Sequence, residues 1–132
     1  LGALDSLSSV EVDQFLNYPY GENKLARCFS NAPGDEDRIA LFHLIDGIIE
    51  RTARFIAFSL TAVMEKTGKG RNPLKPVCVT ADGSTFYKSK LFRPKLDYYI
   101  RTFTNDARGI YCEFVKVDQG TLIGTAVAGL LN

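Results

Sequence analysis

A turn rich in glycine and hydroxyl side chains, DGST at 82–85, carries the groups best suited to hold a phosphorylated ligand. Gly83 can adopt a positive φ and lets a ligand come close to the backbone. Ser84 and Thr85 add hydroxyl groups and backbone donors. The preceding residues, VCVT at 77–80, are apolar or β-branched and predict a short buried strand. Open α/β sheets bind phosphates where such a strand opens into a turn, although an ordinary Asp-Gly turn between two elements has the same spacing.

A second candidate lies in the last predicted helix, where Gly120, Gly124 and Ala128 recur every four residues and leave one side almost without side chains. Glycine inside a helix costs about 1 kcal/mol relative to alanine, so a close approach by another group must compensate. At the amino end, Gly120 and Thr121 offer free N–H groups and a hydroxyl to an anion or a base. Tight packing of the helix on a sheet explains the glycines equally well, and both alternatives stay open.

Three other features do not support a site. GKGR at 68–71 lacks the GxxxxGK(S/T) spacing of a phosphate-binding loop and follows a predicted helix, which favours a solvated basic connection. Asp46 and Glu50 lie on one face of that helix with no partner for acid–base chemistry. His43 lies mid-helix with no second ligand at metal-binding spacing and is interpreted as structural. We therefore expect no phosphate loop and no metal ligand among these residues.

The composition is that of one globular domain or one lobe of a larger protein, with 132 residues, 45% of them apolar and 23% charged. A net charge of +1 predicts no attraction to nucleic acid or to an anionic membrane, and no apolar run is long enough to span one. Three cysteines far apart, with Cys78 and Cys112 in predicted buried strands, favour a reducing compartment, the cytoplasm, over a disulfide or zinc scaffold. The chain begins at Leu1 rather than Met, which we interpret as a cut.

The amino-terminal half predicts three helices. Ser8 and Glu11 fit a capping box for the first helix, and a short helical piece spans 23–29. The longest helix is expected over 35–66, with Lys66 near its end and Gly68 just beyond it as stop signals. From Ala53 onward nearly every face of it is apolar or small. We therefore expect the second half of this helix to be buried on most sides, as a central packing element, with the two shorter helices as a covering layer.

The carboxyl-terminal half predicts strand, helix, strand and helix. After the first strand, residues 86–88 are expected to continue extended, and a helix over 91–104 follows with Lys95 among its outward residues. A second strand over 110–117 and a final helix, starting near 118–121 and running to about 131, complete the unit. Because crossovers are right-handed, the two strands are expected to be parallel. The fold class is therefore α/β, helix-rich with a small parallel strand pair.

Three segments in order resemble parts of the hexokinase family. RTARFIAFSLTAVMEK (51–66) resembles the long helix that precedes the family's adenosine motif, and VCVTADGSTFYK (77–88) is similar to the motif itself. GTLIGTAVAGLL (120–131) is similar to the family's final glycine-rich helix, and the spacing between the segments also fits. The positions of the last helix that match the family are Gly120, Thr121, Gly124 and Ala126.

The resemblance implies an actin-like ATPase fold of the ribonuclease H type, in which two lobes close over ATP with Mg²⁺ and over a hexose that is phosphorylated at its 6-hydroxyl. This chain would be the carboxyl-terminal portion of the large lobe, with 1–34 as covering helices, 35–68 as the central helix and 76–132 as a βαβα unit on the nucleotide side. The implied contacts to phosphates and ribose are Gly83, Ser84 and Thr85. The other implied nucleotide-site residues are Phe86 and Tyr87 as a wall for the adenosine, Thr121 near the adenine, and Gly124 as a packing glycine.

The resemblance also implies that the catalytic and sugar-binding residues lie outside the matched segments. In the family, the phosphate loop, the catalytic aspartate and the sugar-binding residues precede the part matched here, and these 132 residues contain no DxGGT-like segment. Asp82 is therefore not the catalytic base, and the isolated chain is expected to be inactive and to bind nucleotide weakly at best. Many family members have Gly-Lys where this chain has Leu122 and Ile123, so contacts from that position are not implied here.

Two alternatives do not involve sugar phosphorylation by this chain. A non-catalytic interaction module, or a dimerising remnant of a sugar kinase, would expose an apolar surface to a partner or to a second copy. Nucleic-acid binding is disfavoured by the near-neutral net charge and by the lack of aromatic stacking residues among Lys66, Lys69, Arg71, Lys75, Lys88, Lys90 and Arg93. The expected partners are thus ATP, a hexose and the remainder of a hexokinase chain, with no nucleic acid and no membrane.

Overall fold

The computed structural model describes residues 6–31, 34–117 and 120–131. In chain order the described elements are α1 (Ser9–Asn17), α2 (Lys24–Arg27), α3 (Glu36–Thr67), β1 (Val77–Ala81), α4 (Ser84–Lys88), α5 (Phe92–Tyr99), a π-helical segment (Ile100–Asp106), β2 (Cys112–Lys116) and α6 (Gly120–Leu131). Residues 118–119, where the sequence analysis placed the possible start of the last helix, lie outside the described residues. The predicted helix-rich α/β class with one small parallel sheet is confirmed.

The capping box predicted at the start of α1 is confirmed. The backbone N–H of Ser8 donates to the Glu11 carboxylate at 2.8 Å, and the backbone N–H of Glu11 donates to the Ser8 hydroxyl at 3.3 Å. The Ser8 backbone bond is the main reason that the pKa of Glu11 lies below its ordinary value. In α2 the side chain of Asn23 plays the equivalent role by accepting from the Ala26 N–H at 2.9 Å.

The long helix α3 joins two separate hydrophobic clusters. Its first half packs on α1 and α2 through a cluster that includes Phe15, Leu16, Leu25, Phe29 and Ile45. Its second half packs on α5 through a cluster that includes Ala53, Ala57, Phe92, Leu96 and Ile100. Ile49 lies between them and contacts both clusters. The helix ends where Gly68 adopts the left-handed conformation, as the sequence predicts for a C-cap.

One face of α3 is apolar and exposed, which corrects the expectation that its second half is buried on most sides. Phe55 is 71% exposed and Val63 is 61% exposed, although Ala57 on the opposite side is fully buried. Leu44 and Ile48 of the first half share the exposed face with Phe55, and we name these three residues the α3 stripe. The expectation was wrong because α5 and the π-helical segment cover α3 from one side only.

The two strands pair in parallel, with Val77 opposite Cys112 and Ala81 opposite Lys116. One face of this sheet is covered, since the ring of Phe114 lies 5.2 Å from that of Phe86. The other face is open to solvent. Cys78 on that face is exposed and Cys112 on the covered face is half-buried, so the expectation that both thiols lie in buried strands was wrong. A two-stranded sheet with one uncovered face alternates between half-buried and exposed positions.

The helix predicted over 91–104 changes character part-way. It begins as α5 and continues from Ile100 as a π-helical segment, within which the Thr104 hydroxyl hydrogen-bonds the Thr61 hydroxyl of α3 at 2.7 Å. Both threonines are buried, so this bond satisfies two polar groups at once.

The connection between α3 and β1 is held at Gly70 by the residue that precedes β2. The Gly70 carbonyl accepts from the Tyr111 N–H at 2.8 Å, and Gly70 has a φ of +80°. A Cβ at Gly70 would lie 2.8 Å from the Tyr111 carbonyl oxygen, so only glycine fits without movement. Within the described segments, no helix combines the length and the hydropathy needed to cross a bilayer.

Candidate functional site

The carboxyl ends of both strands lie at the same edge of the sheet. Because the strands are parallel and Ala81 is paired with Lys116, the segments that leave β1 and β2 start side by side. The first segment is the Asp82–Gly83 turn and the second leads to α6. We call this region the carboxyl edge, defined by Ala81, Asp82, Gly83, Lys116 and Gly120.

The turn after β1 presents an accessible backbone. Gly83 has a φ of +101°, and a Cβ added there would meet no atom within 4 Å. Its N–H donates to the carboxylate of Asp82 at 2.7 Å, and both residues are exposed. A ligand can therefore approach Gly83 directly, while the Asp82 carboxylate is already used to hold the turn.

Residues 84–88 form the short helix α4, which corrects the expectation of an extended continuation at 86–88. Two contacts explain the helix. The ring of Phe86 packs against Phe92 and Phe114, with ring centroids 6.1 Å and 5.2 Å away. The Tyr87 hydroxyl donates to the Ala81 carbonyl at 3.0 Å, which closes the turn back onto the end of β1. Helical geometry lets the first aromatic ring enter the core while Tyr87 stays at the carboxyl edge.

The amino end of α6 lies beside the end of β1. The Gly120 N–H donates to the Val117 carbonyl at 3.2 Å, and a Cβ at Gly120 would lie 4.0 Å from that of Thr80. The start of α6 therefore lies at the same edge of the sheet as the turn after β1, and its contact there is with the strand residue Thr80. The close approach expected at Gly124 is absent from the described part of the chain, because a Cβ there would meet nothing within 4 Å.

Two cations lie on the covered face of the sheet near this edge. Arg93 stacks on Phe86 and Phe114, with its guanidinium 4.8 Å and 4.9 Å from the ring centroids, and both oxygens of Asp97 accept from its Nε at 2.8 Å. Lys116 holds its Nζ 5.7 Å from the centroid of Tyr87. Lys116 was not among the candidate site residues, because within the second predicted strand, 110–117, no local pattern distinguishes it.

A charged cluster that the sequence analysis missed joins α3 to α5. Lys95 donates to Glu50 at 2.5 Å and lies 3.0 Å from Asp46, and the Tyr99 hydroxyl donates to the other oxygen of Glu50. The hydrogen bonds from Lys95 and then from Tyr99 hold the pKa of Glu50 below its ordinary value. The bond to Glu50 in turn raises the pKa of both donors.

This cluster corrects two expectations, since Lys95 does not point outward and the carboxylates of Asp46 and Glu50 have partners. The i, i+4 spacing of the acids on one helix, and of Lys95 and Tyr99 on the other, was the available signal. In this cluster the Lys95 ammonium group pairs with two half-buried carboxylates and so links α5 to α3. It has the character of a structural contact.

The remaining metal and redox candidates do not assemble. Within the described ranges, no group of three or more His, Cys, Asp or Glu side chains is placed to hold a metal ion. Cys28, Cys78 and Cys112 are all free thiols, and burial raises the pKa of the Cys112 thiol. His43 is exposed on α3, and its ring lies edge-on to that of Phe42.

Comparison with known protein families identifies the family of the chain. A family model described as Hexokinase matches residues 3–131, which is nearly the entire chain. The chain belongs to the hexokinase family. Comparisons with curated proteins and with solved structures give no match. The resemblance identified in the three sequence segments is thus confirmed at family level, and the hexokinase family consists of sugar kinases, which are phosphotransferases.

Proposed function

We propose that this chain forms the carboxyl-terminal, nucleotide-binding side of an ATP-dependent hexokinase that phosphorylates a hexose at its 6-hydroxyl. One observation carries the proposal. The DGST turn leaves β1 at the carboxyl edge of the parallel sheet, and at the same edge the first residue of α6 lies next to the end of β1, with a Cβ at Gly120 4.0 Å from that of Thr80. Nucleotides bind at this edge in open α/β sheets, where strand ends and helix starts converge.

The proposed roles follow from position along this edge. The open backbone of Gly83 admits the phosphates, and Ser84 and Thr85 at the start of α4 supply donors to phosphate and ribose. Phe86 and Tyr87 form a wall for the adenosine, and Tyr87 is 40% exposed at the edge. The proposed residues of α6 are Thr121 near the adenine and Gly124 as a position without a side chain.

The nucleotide fits this edge better than a protein-held metal ion does. Gly83 faces open space, whereas the described residues contain no cluster of metal ligands. Mg²⁺ in phosphotransferases is held largely by substrate phosphates with one or two carboxylates, so the ion would enter with ATP and neutralise its phosphate charge. The chain's own contribution is to bind and orient the nucleotide through the turn and the start of α6.

Phosphoryl transfer also needs a carboxylate that accepts the proton of the sugar hydroxyl. No residue of this chain is proposed for that role, because Asp82 is committed to its own turn and Glu50 to Lys95. We therefore propose that the catalytic aspartate belongs to another part of the kinase and that the isolated 132-residue chain does not phosphorylate glucose.

The wider proposal concerns fold, segments and location. We propose that the chain is a portion of an actin-like large lobe, with 1–34 as covering helices, 35–68 as the central helix and 76–132 as the nucleotide-side unit. The observed packing of α1 and α2 on α3 is consistent with this division. The three free thiols are the support for a reducing compartment such as the cytoplasm.

The test is a titration of the ¹⁵N-labelled chain with MgATP, followed by amide chemical shifts. We expect saturable shifts at Gly83 and Gly120, with a dissociation constant weaker than about 100 μM because half of the site is missing. A coupled assay with glucose and MgATP is expected to give no hexose phosphate. Absence of shifts at both glycines at millimolar MgATP contradicts the nucleotide site, and turnover contradicts the divided active site.

A second candidate function is supported by the α3 stripe. Leu44, Ile48 and Phe55 are each more than half exposed, and the described side chains Leu122, Ile123, Val127 and Leu130 of α6 are exposed as well. Apolar surface of this kind marks a contact with another polypeptide, as in a non-catalytic or dimerising module. Light scattering after size-exclusion chromatography distinguishes the two candidate functions. A dimer that the substitution Phe55→Lys dissociates favours the interaction module, and a monomer favours the kinase lobe.

A further inference from the structure

Lys116 occupies a position at the carboxyl edge that points to a role of its own. It is the last residue of β2, directly paired with Ala81, the residue before the Asp82–Gly83 turn. Along β2 it alternates with Phe114, so its side chain lies on the face of the sheet that carries α4. Its ammonium group stands 5.7 Å from the Tyr87 ring, at the point where the proposed nucleotide would enter.

The Lys116 side chain is oriented by its neighbours. Cation–π attraction operates within about 6 Å of a ring centroid and contributes on the order of 0.5–1 kcal/mol at exposed sites. The ring itself is fixed, because the Tyr87 hydroxyl donates to the Ala81 carbonyl at 3.0 Å. The cation is thus held near the Tyr87 ring of α4.

Lys116 also differs from Arg93, because no carboxylate among the described residues forms an ion pair with Lys116. Arg93 is neutralised by both oxygens of Asp97. The nearest turn carboxylate in sequence, that of Asp82, accepts from the Gly83 N–H. A positive charge with no ion pair among the described residues, on the strand next to an open glycine turn, favours an anionic ligand.

We propose that Lys116 contacts the polyphosphate of the bound nucleoside triphosphate and favours triphosphates over unphosphorylated nucleosides. This inference rests on the proposed nucleotide site and adds a residue that recognises the negative charge of the bound nucleotide. The contact is electrostatic, since a lysine acts on phosphate as a point charge. The uncharged part of the nucleotide lies against Tyr87 and does not require the cation.

The experiment uses the full 132-residue chain and amide shifts at Gly83 and Gly120 as the readout. Three ligands are titrated separately: MgATP, adenosine and inorganic tripolyphosphate. In Lys116→Gln we expect ATP and tripolyphosphate to bind about fivefold more weakly, the size of one partly exposed ion pair, with adenosine changed less than about twofold. Lys116→Arg is expected to retain ATP binding. Lys75→Gln, which removes an exposed lysine from the loop before β1, is the matched control.

Three results overturn the proposal. Equal ATP affinity of wild type and Lys116→Gln means that the cation does not meet the phosphates. Equal weakening of ATP and adenosine means that Lys116 acts by supporting Tyr87. A wild-type chain that binds none of the three ligands removes the nucleotide site itself, and this outcome is distinct from the first because there the wild type still binds ATP.

Discussion

Replacing Lys95 by methionine tests the charged contact between α3 and α5. Methionine has a similar helix propensity and fills a similar volume, so Lys95→Met removes the charge and leaves the helix intact. The Lys95 side chain is 22% exposed, and it contacts Glu50 at 2.5 Å and Asp46 at 3.0 Å. The substitution therefore leaves two half-buried carboxylates facing an apolar side chain.

The expected loss of stability lies between the loss measured for exposed ion pairs and the loss measured for buried ones. Exposed ion pairs contribute at most about 1 kcal/mol, and removing one partner of a fully buried pair costs about 3–5 kcal/mol. The Glu50 and Asp46 side chains keep about a third of their surface, so water still solvates them after the cation is lost. The Tyr99 hydroxyl also continues to donate to Glu50. We expect the free energy of unfolding to fall by roughly 1–2 kcal/mol at pH 7.

The pH dependence has a definite sign. The pKa of Glu50 is lowered in the folded chain, first by Lys95 and then by Tyr99, so its contribution is present above its unfolded pKa and is lost as pH falls through the folded value. The pKa of Lys95 is raised by Glu50, so its contribution is lost only at strongly alkaline pH. The difference in the free energy of unfolding between wild type and Lys95→Met therefore has its full size at neutral pH and becomes smaller as the pH falls below about 4.

The assay is urea denaturation followed by circular dichroism at pH 7 and at about pH 3.5, with Lys75→Met as the control. Lys75 is exposed and belongs to none of the ion pairs among the described residues, so its replacement is expected to change stability by less than about 0.5 kcal/mol. If Lys95→Met and Lys75→Met unfold at the same urea concentration at pH 7, the cluster does not stabilise the fold and the reasoning fails.

Two further substitutions test the packing that positions the carboxyl edge. Leu96 is fully buried in the cluster between α3 and α5, so Leu96→Ala is expected to cost about 2–5 kcal/mol in urea denaturation; a loss below 1 kcal/mol would mean that this cluster is loosely packed. Gly70→Ala places a Cβ 2.8 Å from the Tyr111 carbonyl oxygen and is expected to lower the thermal midpoint by more than Gly83→Ala, because Gly83 also has a positive φ but faces open space. The opposite order would contradict the steric account.

Local sequence rules predicted the features that depend on neighbours in the chain. The Ser8–Glu11 capping box and the Gly68 C-cap need only a few adjacent residues. The strand pair followed from two short apolar runs separated by a helix, and its parallel pairing followed from the crossover rule. These interactions close within one turn of helix or are fixed by connectivity, so periodicity was sufficient.

Features that depend on contacts between distant segments escaped prediction. Helix α4 is stabilised by the contact between the rings of Phe86 and Phe114. No local signal at 86–88 distinguishes this helix from a strand. Lys95 was assigned to the outward face because the pattern of its own helix cannot show that Glu50, 45 residues away, lies opposite. Periodicity likewise indicated that nearly every face of α3 is apolar or small from Ala53 onward, without showing which face a neighbour covers.

The candidate site divides in the same way. Gly83 and Gly120 were identified from turn chemistry and from the glycine repeat, and the structure brings both segments to one edge. Lys116 was missed because its importance depends on the Tyr87 ring beside it and on the absence of a counter-ion within the described residues. A single lysine at a strand end carries no such information in sequence.

The place of Ile49 between the two clusters has a consequence for how the chain opens. The cluster around Phe15 and the cluster around Leu96 both include residues of α3, and Ile49 contacts both of them. Cooperative units of this kind unfold separately when few contacts connect them. Here Lys90 provides a second connection, because its N–H donates to Asp13 of α1 at 3.0 Å and its Nζ donates to the Leu16 carbonyl at 3.2 Å. Loosening of α1 would therefore break bonds to the segment between α4 and α5, so a disturbance of the amino-terminal helices reaches the elements next to the carboxyl edge.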